Sequence, residues 1–545
     1  MVDTPFPNQP PPYEGRNLYL TDVALQEAVS REGGASAGAA LARWGETLGT
    51  AETYALADAA NRHSPQLRSL DRRGERIDSI EFHPAWDALM RLATAEGEHC
   101  LPWVAPGPGA QVARAAMYFL HAQVENGTQC PLTMTFASVP VLARHAASIP
   151  GGDVWLQRAL VRDYDPRTLP VTDKRAALLG MGMTERQGGS DVRANLTRAV
   201  PAGDGAWRIT GHKWFFSAPQ CDAHLVLAQA DAGITCFLLP RVLPDGTRNA
   251  VRINRLKDKL GNRSNASAEV EFDGALAYPL GAPGRGIATI LEMVQHTRLD
   301  CVIGSAGMMR GALAWALHHA AHRVAFGHKL VDQPLMTAVL ADLALEVEGA
   351  TALTVRLAHA FEAPEDSSER ALARVATPAA KYWTCKRAPM VALEAMEVLG
   401  GNGYVEETPL ARVYREAPVN SIWEGSGNVI CLDVMRAAGR EPAALQALAD
   451  ELQEARGGNA DLDRHVDALL RMLAAQPDDP AIARRLAQDI ALALSATVLV
   501  RHAPAFVADA FCASRLRAAS FPGAAFGTLP RECDARVIVA RAHRD

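Results

Sequence analysis

The sequence lacks the features that mark secreted, membrane-spanning and metal-dependent proteins. Its nine cysteines (Cys100, Cys130, Cys221, Cys236, Cys301, Cys385, Cys431, Cys512 and Cys533) are scattered, odd in number and without a CxxC pair. A disulfide scaffold is therefore not expected, and a reduced, cytoplasmic setting fits best. There is no HExxH motif and no Cys cluster, so no metal is expected; the histidines of HHAAH, His318, His319 and His322, read as helix-surface residues. The longest suspicious apolar run, IALALSATVLV at 490–500, is too short to cross a bilayer, and MVDTPFPNQPPPYEG lacks the basic-then-apolar order of a secretory signal. Positive charge is not in excess either. A net charge of -6 argues against a surface shaped as a whole for nucleic acid, so any polyanion site must be local.

What is present is bulk and a change of texture along the chain. With 545 residues, 48% of them hydrophobic, the chain is expected to divide into roughly three or four domains. PFPNQPPPY cannot continue a helix or a central strand, because proline fixes φ and removes a donor, so the N-terminus reads as an extended arm. Residues 1–179 otherwise carry helical spacing, as in ARAAMYFLHAQVE. From 180 to 285 the segments WRITG, AHLVLAQA, TCFLLP, AVRINRL and AEVEF are short, β-branched or aromatic, and separated by turn residues, which predicts a β domain. Helical texture returns over 286–440, and 441–545 reads as an appended helical domain broken at QPDDP and SFPGAAFGTLP. The fold class is α+β, in the order α, β, α.

Three peptides could carry chemistry. MTERQGGSDV places Gly188 and Gly189 beside the hydroxyls of Thr184 and Ser190, where loop amides could receive anionic oxygens; a hydrophilic turn without a ligand has the same composition. In GHKWFFSA, strand alternation puts Phe215 and Ser217 on one face, fit for a flat ligand, although aromatics in a strand also serve as core. In SIWEGSGN, Glu424 follows Ile422 and Trp423, whose apolar bulk would desolvate the carboxyl and raise its pKa, as a proton-abstracting base requires; an exposed turn acid is the alternative.

Together these peptides resemble the acyl-CoA dehydrogenase family, over roughly residues 80–440. The resemblance implies FAD as cofactor, with Met183, Thr184, Gly189 and Ser190 at the flavin ring and diphosphate. It places Phe215, Phe216 and Ser217 against the isoalloxazine, Phe215 standing where the family commonly has Trp. Ser426 and Asn428 take the places of a Thr and a Gln that bind FAD. RVAFGHKLVDQ matches a segment reaching the FAD of a neighbouring subunit, through Arg323, Phe326 and Gln333. MEVLGGNGY matches the glycine-rich adenosine contact, through Gly400, Gly401 and Gly403. Glu424 matches the catalytic base, whose own backbone N–H is one of the donors to the substrate carbonyl, and Trp423 replaces the usual Tyr.

NLYLTD, NGTQCPLTMT, LKDKLGNRSNAS and PVNSIWEGSGN narrow the resemblance to the AidB-type branch, associated with the bacterial adaptive response to DNA alkylation. That implies a homotetramer, sequence-independent binding of double-stranded DNA through the C-terminal region, and weak dehydrogenase activity on branched short-chain acyl-CoA of the isovaleryl type. Residues 441–500 hold five Arg and ten Asp/Glu, whereas 501–545 hold seven Arg and four Asp/Glu, so a weak basic patch would lie at the end. Arg436, Arg515 and Arg517 are the candidates for phosphate contact, with ordinary surface arginines as the alternative. The rival function is a catabolic acyl-CoA dehydrogenase or oxidase with no DNA role.

Overall fold

The computed structural model describes residues 8–365, 367–475, 479–517 and 525–544. The chain forms two compact units. One comprises residues 55–107 and 125–297; the other comprises 1–54, 108–124 and 298–545.

The first unit is built on β structure. A hairpin of β1 (Gln66–Leu70) and β2 (Arg76–Glu81) interrupts a stretch expected to be helical throughout. Its cause is local. LDRRGE supplies a turn in which Asp71 accepts hydrogen bonds from the Arg73 and Glu75 N–H groups at 2.7 and 2.9 Å. After it comes a helix, Pro84–Glu96, whose ends are legible: His83 caps the first turn, Pro84 opens it, and Gly97 closes it in the left-handed region. The predicted β domain follows as β3 (Leu179–Gly182), β4 (Arg198–Gly203), β5 (Ala206–Ser217), β6 (Ala223–Ala230), β7 (Gly233–Pro240), β8 (Val251–Leu256) and β9 (Ser267–Leu280). They form one sheet in the order β3-β6-β4-β5-β9-β7, with β8 added to β9. Because β7 also pairs with β6, the path closes on itself and leaves few free edges. Ile209, Phe216, Val226, Phe237, Val270 and Phe272 fill its interior.

The second unit is helical. Its longest members are Gly286–His322, of which residues from 298 belong here, Pro334–Ala360 and Ser368–Val398. The last is opened by Ser367, whose hydroxyl accepts from Arg370 N–H at 3.2 Å. Gly307 lets two backbones approach: a Cβ there would stand 2.4 Å from the Phe119 carbonyl. Among the described residues, the C-terminal stretch forms five α-helices, Pro442–Gln453, Ala460–Ala474, Ala483–His502, Ala505–Arg515 and Ala535–Ala542, in the same compact unit as the helices before it. Of the two expected breaks, residues 476–478 and 518–524 lie outside the described residues.

One expectation needs correction here. His318 and His319 are buried, so neither is a helix-surface residue. His318 Nε2 lies 2.7 Å from the Pro11 carbonyl of the N-terminal arm, and Arg323 donates to the Asn8 carbonyl at 2.7 Å. Among the described residues no helix is long and apolar enough to cross a membrane, and no three His, Cys, Asp or Glu side chains are grouped to hold a metal ion.

Candidate functional site

In the β unit, the loop after β3 is organised by a buried carboxylate. Glu185 accepts from the Leu196 and Thr197 N–H groups at 2.6 and 3.2 Å and from Lys213 Nζ at 2.8 Å. Burial pushes its carboxyl up, but Lys213 and the other donors outweigh this and bring it down to about 2. Glu185 therefore stays ionised and pins both ends of the loop. The Met183 carbonyl is taken by Asn195 Nδ2 at 3.1 Å and that of Thr184 by Trp214 N–H at 2.9 Å. Within this frame Gly189 sits against Thr184, where a Cβ would come 2.3 Å from the hydroxyl oxygen; Ser190 is exposed at the tip.

On β5 the register slips against β9 between Lys213 and Phe216. This bulge separates the aromatic trio by role. Phe215 is 53% exposed, with Lys257 Nζ 4.7 Å from its ring centre, and Ser217 is half-buried. Phe216 is not available to a ligand: its ring is buried and stacks on His224 at 3.9 Å, so its proposed contact with a flavin ring is corrected to a core role.

In the helical unit, Glu424 stands in a tight turn with φ +59°, a region costly for a side chain with a Cβ. Three neighbouring carbonyls are held by two buried cations. Lys381 Nζ donates to the Trp423 and Gly425 carbonyls at 2.8 and 2.9 Å, and Arg298 Nε donates to that of Glu424 at 3.1 Å. Arg298 is itself fixed by Asp433 at 2.7 Å. Burial raises the Asp433 carboxyl, and Arg298 and Arg374 more than reverse it. The Trp423 indole N–H donates to Asn420 Oδ1 at 2.9 Å. The dry flank expected around Glu424 is not formed by Ile422, which is 64% exposed. Just beyond, Ser426 and Asn428 are exposed at the start of the Gly427–Arg440 helix, and the Ser426 hydroxyl makes no capping bond.

The residues expected to reach a neighbouring subunit lie on the surface of this unit. Val324–Lys329 form a short hairpin whose tip, Phe326, is 94% exposed at φ +51°; Gln333 braces it by donating to the Ala325 carbonyl at 2.9 Å. Gly400 and Gly401 border open space, whereas a Cβ on Gly403 would meet the Met396 carbonyl at 2.1 Å, so that glycine serves a close turn. Of the three arginines nominated for DNA, Arg436 is exposed and pairs with Asp433 at 3.4 Å. Arg517 is paired with Asp461 and Glu532 at 3.2 and 2.5 Å. Arg515 is buried against Asp342 and Glu346, and its nomination is corrected: its donors are spent inside the fold.

Sequence reasoning passed over Glu185, Lys213, Arg298 and Lys381. For the two lysines a signal existed, a single cation inside an apolar stretch, in GHKWFF and in TPAAKYW.

Three family models match. The N-terminal domain of the adaptive response protein AidB covers residues 8–166, the acyl-CoA dehydrogenase middle domain 180–275, and the acyl-CoA dehydrogenase C-terminal domain 284–439. The chain is 49% identical to the acyl-CoA dehydrogenase homologue AidB of Escherichia coli (strain K12) over 508 residues, 93% of each chain. It is 30% identical to acyl-CoA dehydrogenase family member 11 of Caenorhabditis elegans, covering 85% of this chain and 80% of that one. Among solved structures, Caenorhabditis elegans ACDH-11 in complex with C11-CoA superposes with a TM-score of 0.85 at 27% identity, over 94% of this chain and 92% of that one. The chain belongs to the acyl-CoA dehydrogenase family, FAD-dependent oxidoreductases, within its AidB branch.

Proposed function

We propose that the chain oxidises a short branched acyl-CoA of the isovaleryl type, slowly, with Glu424 as the base that takes the proton α to the thioester carbonyl. The observation that carries this reading is the turn itself: a half-buried carboxylate at φ +59°, its backbone held on both sides by buried cations. Strain of this kind persists only where the surroundings over-determine it, and it is common at catalytic positions.

The residues fit FAD. A half-exposed aromatic ring and a half-buried hydroxyl, Phe215 and Ser217, stand two positions apart on β5. The loop after β3 offers two small hydroxyl side chains, Thr184 and Ser190, beside Gly188 at φ +130° and Gly189. FAD supplies the acceptor for the hydride that leaves the β carbon. Phe215 would lie against its ring, and Thr184 and Ser190 would hold its polar groups; in the helical unit, Ser426 and Asn428 offer a hydroxyl and an amide at positions where the family binds FAD. Base catalysis accounts for about 10²- to 10⁴-fold, so the remaining acceleration comes from positioning and from donors to the thioester oxygen, the Glu424 N–H among them. Arg323, Phe326, Gln333, Gly400 and Gly401 would complete the site of a second copy in a tetramer, and a ring as bare as Phe326 is consistent with cover by such a partner.

The reading includes duplex DNA as a partner, bound through phosphates. What supports it is the likeness to AidB along 93% of both chains and the exposure of Arg436. Isovaleryl-CoA added to the FAD-loaded protein should bleach the flavin slowly, and Glu424→Gln should abolish bleaching while retaining FAD. Bleaching that survives Glu424→Gln refutes the base. Duplex DNA should bind at low salt and be released as salt rises. Fast turnover without DNA retention would instead favour a catabolic dehydrogenase.

A further inference from the structure

Lys381 is a buried ammonium, 1% exposed, on the Ser368–Val398 helix, and its described partners are two neutral carbonyl oxygens. Removing a lysine from water without a carboxylate partner is expensive, so its retention calls for a reason beyond packing. The partners supply one. They are the carbonyls of Trp423 and Gly425, which flank Glu424.

A trans peptide group is planar, with C=O and N–H pointing in opposite directions. The Trp423 carbonyl and the Glu424 N–H belong to one such group, and among the described residues no peptide bond is cis. Holding that oxygen on Lys381 therefore turns the Glu424 N–H away from the helix. A cation on the carbonyl also withdraws charge through the amide and makes the N–H at its other end a stronger donor. The Gly425 carbonyl, drawn to the same ammonium, fixes the far side of the turn.

We propose that Lys381 is a positioning residue for the oxidation: it aims and polarises the Glu424 N–H as a donor to the thioester oxygen, on which charge develops when Glu424 removes the α proton. This rests on the reading of Glu424 as the base. The step balances without any redox partner: the Cα–H bond breaks, its electron pair moves onto the carbonyl oxygen as an enolate, and the proton goes to Glu424. Return of a solvent deuteron then gives exchange.

Acetyl-CoA isolates that step, having α protons but no β carbon from which hydride could leave. Its methyl exchange in deuterated buffer, followed by proton NMR with the FAD-loaded protein, is the readout; flavin content and acetyl-CoA affinity are measured alongside. Lys381→Met removes both aim and charge and should slow exchange about 10²- to 10³-fold, the cost of losing an oxyanion donor. Lys381→Gln keeps two N–H donors for the two carbonyls without the charge, and should slow exchange roughly tenfold with flavin and acetyl-CoA binding unchanged. If the Met variant does not fold, the Gln variant decides. Exchange at the parent rate in Lys381→Gln, or a loss matched by loss of flavin, overturns the proposal while Glu424 stands, provided Glu424→Gln abolishes exchange. Exchange absent from the parent, or surviving Glu424→Gln, overturns both.

Discussion

Replacing Gly189 by alanine tests whether the loop after β3 acts on FAD through Thr184. The added methyl carbon would lie 2.3 Å from Thr184 Oγ1, 3.1 Å from its Cβ and 3.2 Å from its Cγ2. Carbon atoms rest at about 3.5–4.0 Å, so the threonine side chain must rotate or retreat. Retreat is opposed, because Trp214 N–H holds the Thr184 carbonyl at 2.9 Å and Glu185 beside it is bonded at several points. The hydroxyl therefore leaves its place. One lost hydrogen bond costs about 0.5–1.5 kcal/mol, and an off-rotamer side chain costs about as much again. Together these give about 1–3 kcal/mol, or roughly 5- to 150-fold weaker FAD binding. Titrating flavin-stripped protein with FAD, by quenching of flavin fluorescence, measures it. The cycle with Thr184→Ala is the decisive arm: once the hydroxyl and methyl are gone, Gly189→Ala should cost little more. Losses that simply add across the two sites, or an unaltered affinity in Gly189→Ala, would refute the route through Thr184.

Arg515→Met leaves Asp342 and Glu346 buried with less positive charge, and should cost about 3–5 kcal/mol of stability, read as a lowered thermal midpoint. Arg517→Gln, at a half-exposed pair, should cost no more than about 1 kcal/mol. An equal effect of the two would contradict the burial that separates them. Acid should weaken the loop after β3 in a defined window. The Glu185 carboxyl is at about 2 in the fold against an ordinary 4.5, so its contribution is complete above about 4.5 and is lost as pH falls toward 2. Thermal midpoints measured from pH 7 to pH 3 should fall less steeply in Glu185→Gln than in the parent; identical slopes would remove Glu185 as the cause.

Where the chain repeats, its structure was legible. Short β-branched or aromatic runs between turn residues mark the strands from 206 to 280, and helical spacing marks the helices on either side. The β1–β2 hairpin escaped because its strands are short and polar and its turn lies inside a longer helical texture. In the candidate site, the residues named by chemistry separate by burial: Glu424 and Phe215 stand in view, whereas Phe216 and Arg515 are covered. Phe216 follows Phe215, yet one is core and the other half-exposed, because a bulge that depends on β9 intervenes. Arg515 and Arg517 are two residues apart in a basic stretch, yet only burial against Asp342 and Glu346, distant in sequence, tells them apart.

The same blindness explains the missed lysines, and it has a direction. A charge read along the sequence is assigned to solvent, because most charges are there. Lys213 and Lys381 are both fully buried, and each holds a backbone conformation beside a proposed cofactor or substrate contact: Lys213 through Glu185 and the Leu227 carbonyl, Lys381 through the carbonyls around Glu424. Ligand-facing residues need exposed, adaptable chemistry, and their supports need the opposite, a cation kept from water so that its bonds to the backbone are strong. A single Lys inside an apolar strand or helix is therefore better read as a clamp on a nearby turn than as a solvated charge, and the turn it clamps is the place to look for function.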